Sequence, residues 1–189
     1  MNIVDISGND FFNNPAALFE KAKYDNTRIS NNKSSEQNMV YALFDTIITI
    51  NHLFDWVMQN KDENVKKECI NSFNPFENIE QAGKDYKKYF SENSFPDTNI
   101  SQSIIRGLSN NFKHYKVSKL NLSETKINVA QAGLMCAGQT SAVAGYYEIT
   151  FEVKDCRNNQ IYDLLSLLNV NLKRWEEFFD QIFNEEKHE

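Results

Sequence analysis

The stretch EQNMVYALFDTIITINHLFDWVMQN, residues 36–60, is the longest segment of the sequence with a helical pattern. Its apolar residues recur with a period near 3.6, and they include Val40, Leu43, Phe44, Ile47, Ile48, Phe54 and Val57. The polar run before it predicts a loop in which Ser34 or Ser35 caps the helix. The pattern therefore predicts one long helix with a wide buried face, as in a helical bundle.

Further helical segments flank this one along the chain. Asn14 before Pro15 predicts the start of a short first helix. A short helix follows residue 60 and ends at Asn74, because a residue before proline disfavours the helical conformation. The remaining helices are predicted at residues 77–90, at residues 100–115 with caps at 97–99, and after an Asp163 cap to residue 183.

Strand patterns replace the helical ones after residue 116. The segments KLNLS, TKINV and YEITFEV alternate polar and apolar residues, which is typical of half-buried strands. The stretch between them, residues 130–145, is rich in Ala, Gly and Ser and predicts a mobile loop or a hairpin tip of uncertain register. A turn at residues 155–160 then leads to a third short strand at 160–162.

The order of these elements predicts a mainly α fold in one domain of 189 residues. We expect a helical bundle of about five or six helices, with a two- to three-stranded antiparallel β-hairpin inserted before the last helix. The bundle takes residues 14–116, the hairpin 117–162 and the C-terminal helix 163–183. A hairpin of this size cannot be stable alone and must pack on the bundle.

Composition excludes several classes of protein. The chain is 41% hydrophobic and 24% charged, as globular proteins are, and no apolar run approaches the roughly 20 residues of a membrane span. The N-terminus has no secretory pattern, so we expect a cytoplasmic protein. Cys69, Cys136 and Cys156 lack the spacing of a zinc site or a disulfide framework, and the sequence predicts neither a metal nor a cofactor.

The stretch RGLSNNFKH, residues 106–114, collects polar groups in one helix. At 100° per residue, Arg106, Asn110, Lys113 and His114 fall within about a 100° arc. An arginine, an amide, an ammonium and a group that titrates near neutrality can grip a phosphate and move a proton beside it. The alternative is an ordinary solvated helix face, with basic residues favoured near the helix C-terminus by its dipole.

The segment HLFDW places His52, Asp55 and Trp56 on one face of the long helix. If this face meets the 100–115 helix, Asp55 could orient a histidine, or His52 and His114 could act as an acid and base pair. The alternative is structural. In that case Trp56 is core, His52 is a partly buried hydrogen-bonded residue, and Asp55 forms a salt bridge with Arg106 or Lys113.

The order of motifs and elements resembles that of a group of uncharacterised bacterial and phage-associated proteins. This order is a helix with HLFDW, a helix with R-x-x-x-N-N-F-K-H, a hairpin and a last helix that contains tryptophan. That group pairs an H-L-x-D-W helix with an R-x-x-x-N-x-x-K-H helix. The matching residues are His52, Leu53, Asp55, Trp56, Arg106, Asn110 or Asn111, Lys113 and His114.

An arginine followed along one helix by a histidine also resembles, more distantly, the HEPN superfamily. Its members are all-α proteins that often dimerise, and the active ones are metal-independent ribonucleases of toxin and anti-phage systems, whereas many others are inactive binding modules. Their motif has four to six residues between the arginine and the histidine, and here seven separate Arg106 from His114.

This resemblance implies a bacterial defence or toxin-type protein that acts on or binds RNA, with RNA, a second copy of the chain or another protein as partner. The candidate catalytic residues are His114, Arg106, Lys113, His52 and Asp55, and the candidate binding residue is Asn110. The alternative is a non-catalytic interaction or structural protein, in which the HLFDW and NNFKH motifs form a buried polar network.

Overall fold

The computed structural model describes residues 14–29, 35–90, 96–113, 124–132, 146–155, 157 and 159–185. Within these residues the elements are α1 Pro15–Ile29, α2 Glu36–Val57, α3 Glu63–Phe73, α4 Gly83–Lys87, α5 Ile100–Lys113, β1 Glu124–Ala132, β2 Tyr146–Asp155, β3 Gln160–Asp163 and α6 Leu164–Glu185. This is the predicted mainly α bundle with an antiparallel sheet before the last helix. None of the described helices is both long and apolar enough to span a membrane.

Four helix starts agree with the predicted caps. At each of these four a side-chain oxygen accepts a hydrogen bond from a backbone N–H in the first turn, which satisfies a donor that has no partner within the helix. The pairs are Asn14 with Ala16 (2.9 Å), Ser35 with Asn38 (3.3 Å), Asn99 with Gln102 (3.0 Å) and Asp163 with Ser166 (2.6 Å).

The predicted helix at residues 77–90 is wrong in its extent, since only Gly83–Lys87 is helical. The carboxamide oxygen of Asn78 accepts hydrogen bonds from the backbone N–H groups of Glu80 and Gln81, both at 3.1 Å. The Gln81 side chain in turn accepts from the N–H of Glu77 at 3.1 Å. These local side-chain contacts compete with helical hydrogen bonds and hold residues 77–82 in turns.

The sheet is an antiparallel meander in the order β1-β2-β3, in which Ile127 is opposite Phe151 and Val153 is opposite Tyr162. Phe151 and Val153 are buried and the intervening Glu152 is half-buried, so the predicted alternation holds at this end of β2. The first three residues of the predicted 130–145 loop belong to β1. The rest of that loop, and residues 117–123 of the predicted hairpin, lie outside the described residues.

Stacked aromatic rings join α6 to α3. The indole of Trp175 is fully buried and lies parallel to the ring of Phe73, with centroids 3.8 Å apart and planes 6° apart. Phe178 meets both rings edge to face at 5.6 and 5.4 Å. All three residues belong to the hydrophobic core.

Two asparagines fix the end of α3 to the start of α5. The backbone N–H of Asn99 donates to the carbonyl of Asn74 at 2.7 Å, and its side-chain NH₂ donates to the carbonyl of Ser72 at 2.8 Å. The side chain of Asn74, which is fully buried, donates to the carbonyl of Pro96 at 2.8 Å. This asparagine clamp sets where α5 begins and therefore where Arg106 lies.

An arginine in the β2–β3 turn attaches the sheet to the helices. Arg157 donates its backbone N–H, Nε and Nη2 to the buried carboxylate of Asp155 at 2.9, 2.7 and 2.7 Å. Its Nη1 donates to the Ser103 hydroxyl on α5 at 3.0 Å and to Glu77 at 2.5 Å. Because Ser103 lies on α5 and Glu77 in the segment between α3 and α4, this network fixes the turn against the bundle.

We predict that Trp175→Ala lowers the free energy of unfolding by about 3–5 kcal/mol, because it leaves a cavity beside Phe73. Urea titration followed by circular dichroism measures this. Val170→Ala, on the same helix at a side chain 52% exposed, is the control and should change stability by less than about 0.5 kcal/mol. Equal effects of the two substitutions would contradict the assignment of Trp175 to the core.

We predict that the stability of the fold depends on pH through the carboxyl group of Asp155. The hydrogen bonds from Arg157 lower the pKa of this carboxyl below its ordinary value. A lowered folded-state pKa stabilises the fold above the unfolded pKa of about 3.9, and this contribution is lost as pH falls through the folded pKa. Asp155→Asn should therefore cost about 1.5–3 kcal/mol at pH 7 and progressively less below pH 4. Urea titrations of both proteins across this range test it, and a difference independent of pH would refute it.

Candidate functional site

The Asp55 cluster, defined as Asp55, Tyr86 and Arg106, joins three elements of the bundle. One carboxylate oxygen of Asp55 on α2 accepts from Nη1 of Arg106 on α5 at 3.2 Å and from the hydroxyl of Tyr86 on α4 at 3.0 Å. The side chains of Asp55 and Arg106 are 35% and 24% exposed. The cluster is thus accessible from solvent on one side, and it contains the Asp55–Arg106 pairing that the sequence offered as a structural interaction.

Aromatic rings surround the guanidinium of Arg106. Its central carbon lies 5.3 Å from the ring centroid of Phe76 and 5.9 Å from that of Phe54. Cation–π attraction at such distances adds to the charge pairing with Asp55. Ring contacts and the carboxylate together restrict the rotamers of the arginine, so its N–H donors have a defined direction.

Two of the other predicted site residues lie on the helices that carry Asp55 and Arg106. His52 is half-buried on α2, three residues before Asp55, and Asn110 is half-buried on α5, one turn after Arg106. Lys113 is the last residue of α5, and its side chain and His114 lie outside the described residues. The structure therefore brings Asp55 and Arg106 into contact and places His52 and Asn110 on the same two helices.

Two members of this site were not found from the sequence. Tyr86 lies in the segment 77–90 that the sequence predicts as a helix, yet its hydroxyl donates to Asp55. Phe76 follows Pro75 in a segment without a helical pattern, and its ring lies under Arg106. No short motif links either residue to positions 55 or 106, so the sequence contained no local signal for them.

Exposed aromatic rings lie farther along the contact between α2 and α5, which we call the α2–α5 seam. The rings of Phe44 on α2 and Phe112 on α5 are 4.9 Å apart between centroids, with planes inclined by 38°. Phe44 is 40% exposed and Phe112 39%, and Tyr41, one turn before Phe44, is 54% exposed. The seam thus contains a charged cluster and, separate from it, an exposed aromatic pair.

Cys69 lies in the core near the cluster but has no reactive character. It is completely buried, and burial, with a smaller contribution from the negative charge of Asp55, raises the pKa of its thiol well above the ordinary value. A protonated, inaccessible thiol is neither a nucleophile nor a metal ligand. Cys69 is therefore a small packing residue of the core.

Metal sites and cavities are the other candidates in the described part of the chain. No group of three or more His, Cys, Asp or Glu residues there is arranged to hold a metal ion. A shallow cavity of about 340 Å³ lies between α1 and α6, lined by residues that include Phe19, Lys23 and Phe179. None of its lining residues comes from α2 or α5, so it is separate from the Asp55 cluster.

Comparison of the chain with protein-family models, with curated proteins and with solved structures gave no match.

We predict that Asp55 and Arg106 are energetically coupled. In a double-mutant cycle of Asp55→Ala and Arg106→Ala, the coupling energy from urea titrations should be about 0.5–2 kcal/mol, since both groups are partly buried. The exposed pair Lys173 and Glu177, 3.9 Å apart on α6, is the matched control, with coupling below about 0.5 kcal/mol. Additive effects at positions 55 and 106 would show that the contact contributes nothing to stability.

Proposed function

We propose that the protein is a HEPN-like cytoplasmic protein of a bacterial defence or toxin-type system that binds or cleaves RNA. The observation that carries the proposal is the charge of the chain around α5. Residues 98–123 contain four of the chain's 20 Lys and Arg residues, together with His114, and none of its 26 Asp and Glu residues. A chain of net charge −6 thus has one acid-free basic segment, which suits contact with phosphates.

The geometry of Arg106 supports phosphate recognition within this segment. One guanidinium nitrogen donates to Asp55, while the side chain remains 24% exposed. A guanidinium has five N–H donors in a planar fork that matches phosphate oxygens, and Asp55 and the rings of Phe54 and Phe76 hold it in place. Donors that are oriented in advance stabilise developing charge at little reorganisation cost.

In a catalytic form of this proposal each site residue has a role in RNA cleavage. His114 acts as the general acid or base, and Arg106 and Lys113 stabilise the phosphorane-like transition state. Asn110 orients the phosphate or the histidine, and His52 with Asp55 assists. No metal or cofactor is required for this chemistry, and the protein acts alone or as a homodimer.

The second candidate is a non-catalytic interaction or structural protein. It is favoured by the contacts that Arg106 already makes, because a guanidinium paired with Asp55 and covered by Phe76 is also what a structural link between α2 and α5 requires. In that case the Asp55 cluster stabilises the bundle and RNA is not its ligand.

RNA cleavage and binding distinguish the two candidates. Purified protein in EDTA is incubated with total RNA and with tRNA, and products are separated by gel electrophoresis. We expect cleavage to fall at least 100-fold in His114→Ala and about 100- to 1,000-fold in Arg106→Ala. Arg174→Ala, which removes an exposed arginine from α6, is the control and should cleave like the wild type.

Other results of these experiments would exclude one of the two candidates. Cleavage that survives in both site variants would remove the catalytic assignment, and folded protein that neither cleaves nor binds RNA would remove the RNA-directed function. A large loss of stability in Arg106→Ala, with RNA binding absent in the wild type, would support the structural candidate.

A further inference from the structure

We propose that Phe44 and Phe112 form a stacking platform for an unpaired base of single-stranded RNA lying along the α2–α5 seam. The inference rests on the proposed RNA-directed function and adds to it a binding subsite and a preference for unpaired strands. It concerns recognition only, and it holds whether or not the chain cleaves its RNA.

The first argument is the exposure of this aromatic pair. Among the described residues Phe44 and Phe112 are the phenylalanines with large exposed surfaces, at 40% and 39%, while residues such as Phe54, Phe73 and Phe151 are completely buried. The two rings meet at 4.9 Å and 38°, so they support each other and still present area to solvent. Stacking on an aromatic ring suits any nucleobase, because every base has a π-face.

The second argument is charge complementarity. Phe112 lies inside the acid-free basic segment 98–123, and the residues that follow it in sequence include Lys113, Lys116 and Lys119. Asp45, which directly follows Phe44, is itself 3.7 Å from Arg28 on α1. A base attached to a phosphate backbone gains from positive charge close by in the sequence, whereas an apolar surface for a protein partner does not depend on such charge.

The third argument is the position of the platform relative to Arg106. Phe44 and Asp55 are eleven residues apart on α2, which is ~16 Å along the helix and a rotation of only about 20°. Both therefore belong to the face that meets α5, where they contact Phe112 and Arg106 respectively. A strand of a few nucleotides along the seam can place a phosphate on Arg106 and an unpaired base on the two rings.

Binding to labelled RNA tests the platform by fluorescence anisotropy. The probes are single-stranded oligoadenylate, single-stranded oligouridylate and an RNA duplex of equal length. We expect both single strands to bind more tightly than the duplex, and Phe44→Leu and Phe112→Leu to weaken single-strand binding about 5- to 150-fold. Leucine keeps apolar volume at these half-exposed sites. Tyr24→Leu, which removes a ring 65% exposed on α1, is the matched control and should bind like the wild type.

Photo-cross-linking locates the base in the unmodified chain and so does not depend on how the variants fold. With RNA containing 5-iodouridine, we expect mass spectrometry to find the cross-link at Phe44 or Phe112. Cross-links found solely elsewhere, or unchanged affinity of both leucine variants for a strand that the wild type binds, would overturn the platform and leave the RNA-directed function standing.

Two further outcomes would overturn the proposed stacking platform. If the wild type binds no RNA, the RNA-directed function fails and the platform fails with it. If the leucine variants turn a dimer into a monomer in light scattering while their RNA affinity stays that of the wild type, the aromatic pair is a subunit contact and the proposal is wrong.

Discussion

The packing of α2 is the constraint on which the rest of the structure depends. Ile47, Ile50, Leu53 and Phe54 are all completely buried. With Thr49 and Asn51, which are also buried, the covered positions span roughly 200° of the helix circumference at 100° per residue, so no single neighbour can cover them. α1 and α5 accordingly pack against α2, and α3 contacts it as well. Only the remaining strip of α2 reaches solvent, and Asp55 lies on it. The location of the polar cluster is thus a consequence of how the apolar face is buried.

Hydrogen bonds between residues close in the sequence explain why the helix starts could be predicted. Asn14, Ser35 and Asp163 each cap a helix through contacts within three residues, so the chain near them is sufficient to place the helix start. The failure at residues 77–90 has the same origin. Asn78 forms its hydrogen bonds just as locally, but apolar spacing gives no information about whether a side chain will bond to the backbone and interrupt a helix.

The site was only partly predictable, because its contacts are distant along the chain. Helical periodicity gave the faces on which Asp55 and Arg106 lie, and it could not show that those faces meet across 51 positions. Tyr86 and Phe76 enter the site from a segment whose conformation was predicted incorrectly or not at all. Phe112 continues the apolar stripe of α5, and its exposure depends on how far the neighbouring elements extend beside it, which no pattern in α5 encodes.

The asparagine clamp has a consequence for how proteins of this architecture can diversify. Asn74 and Asn99 join the ends of the intervening segment directly, so these ends stay together whatever the length of the segment. Doubling the length of a closed loop costs only about 0.6 kcal/mol in loop-closure entropy. That segment supplies Phe76 and Tyr86 to the surroundings of Arg106. It can therefore be lengthened at a modest cost in entropy, while Phe76, Ala82 and Phe90 keep it packed in the core and the helices that carry the arginine and its carboxylate partner stay in register.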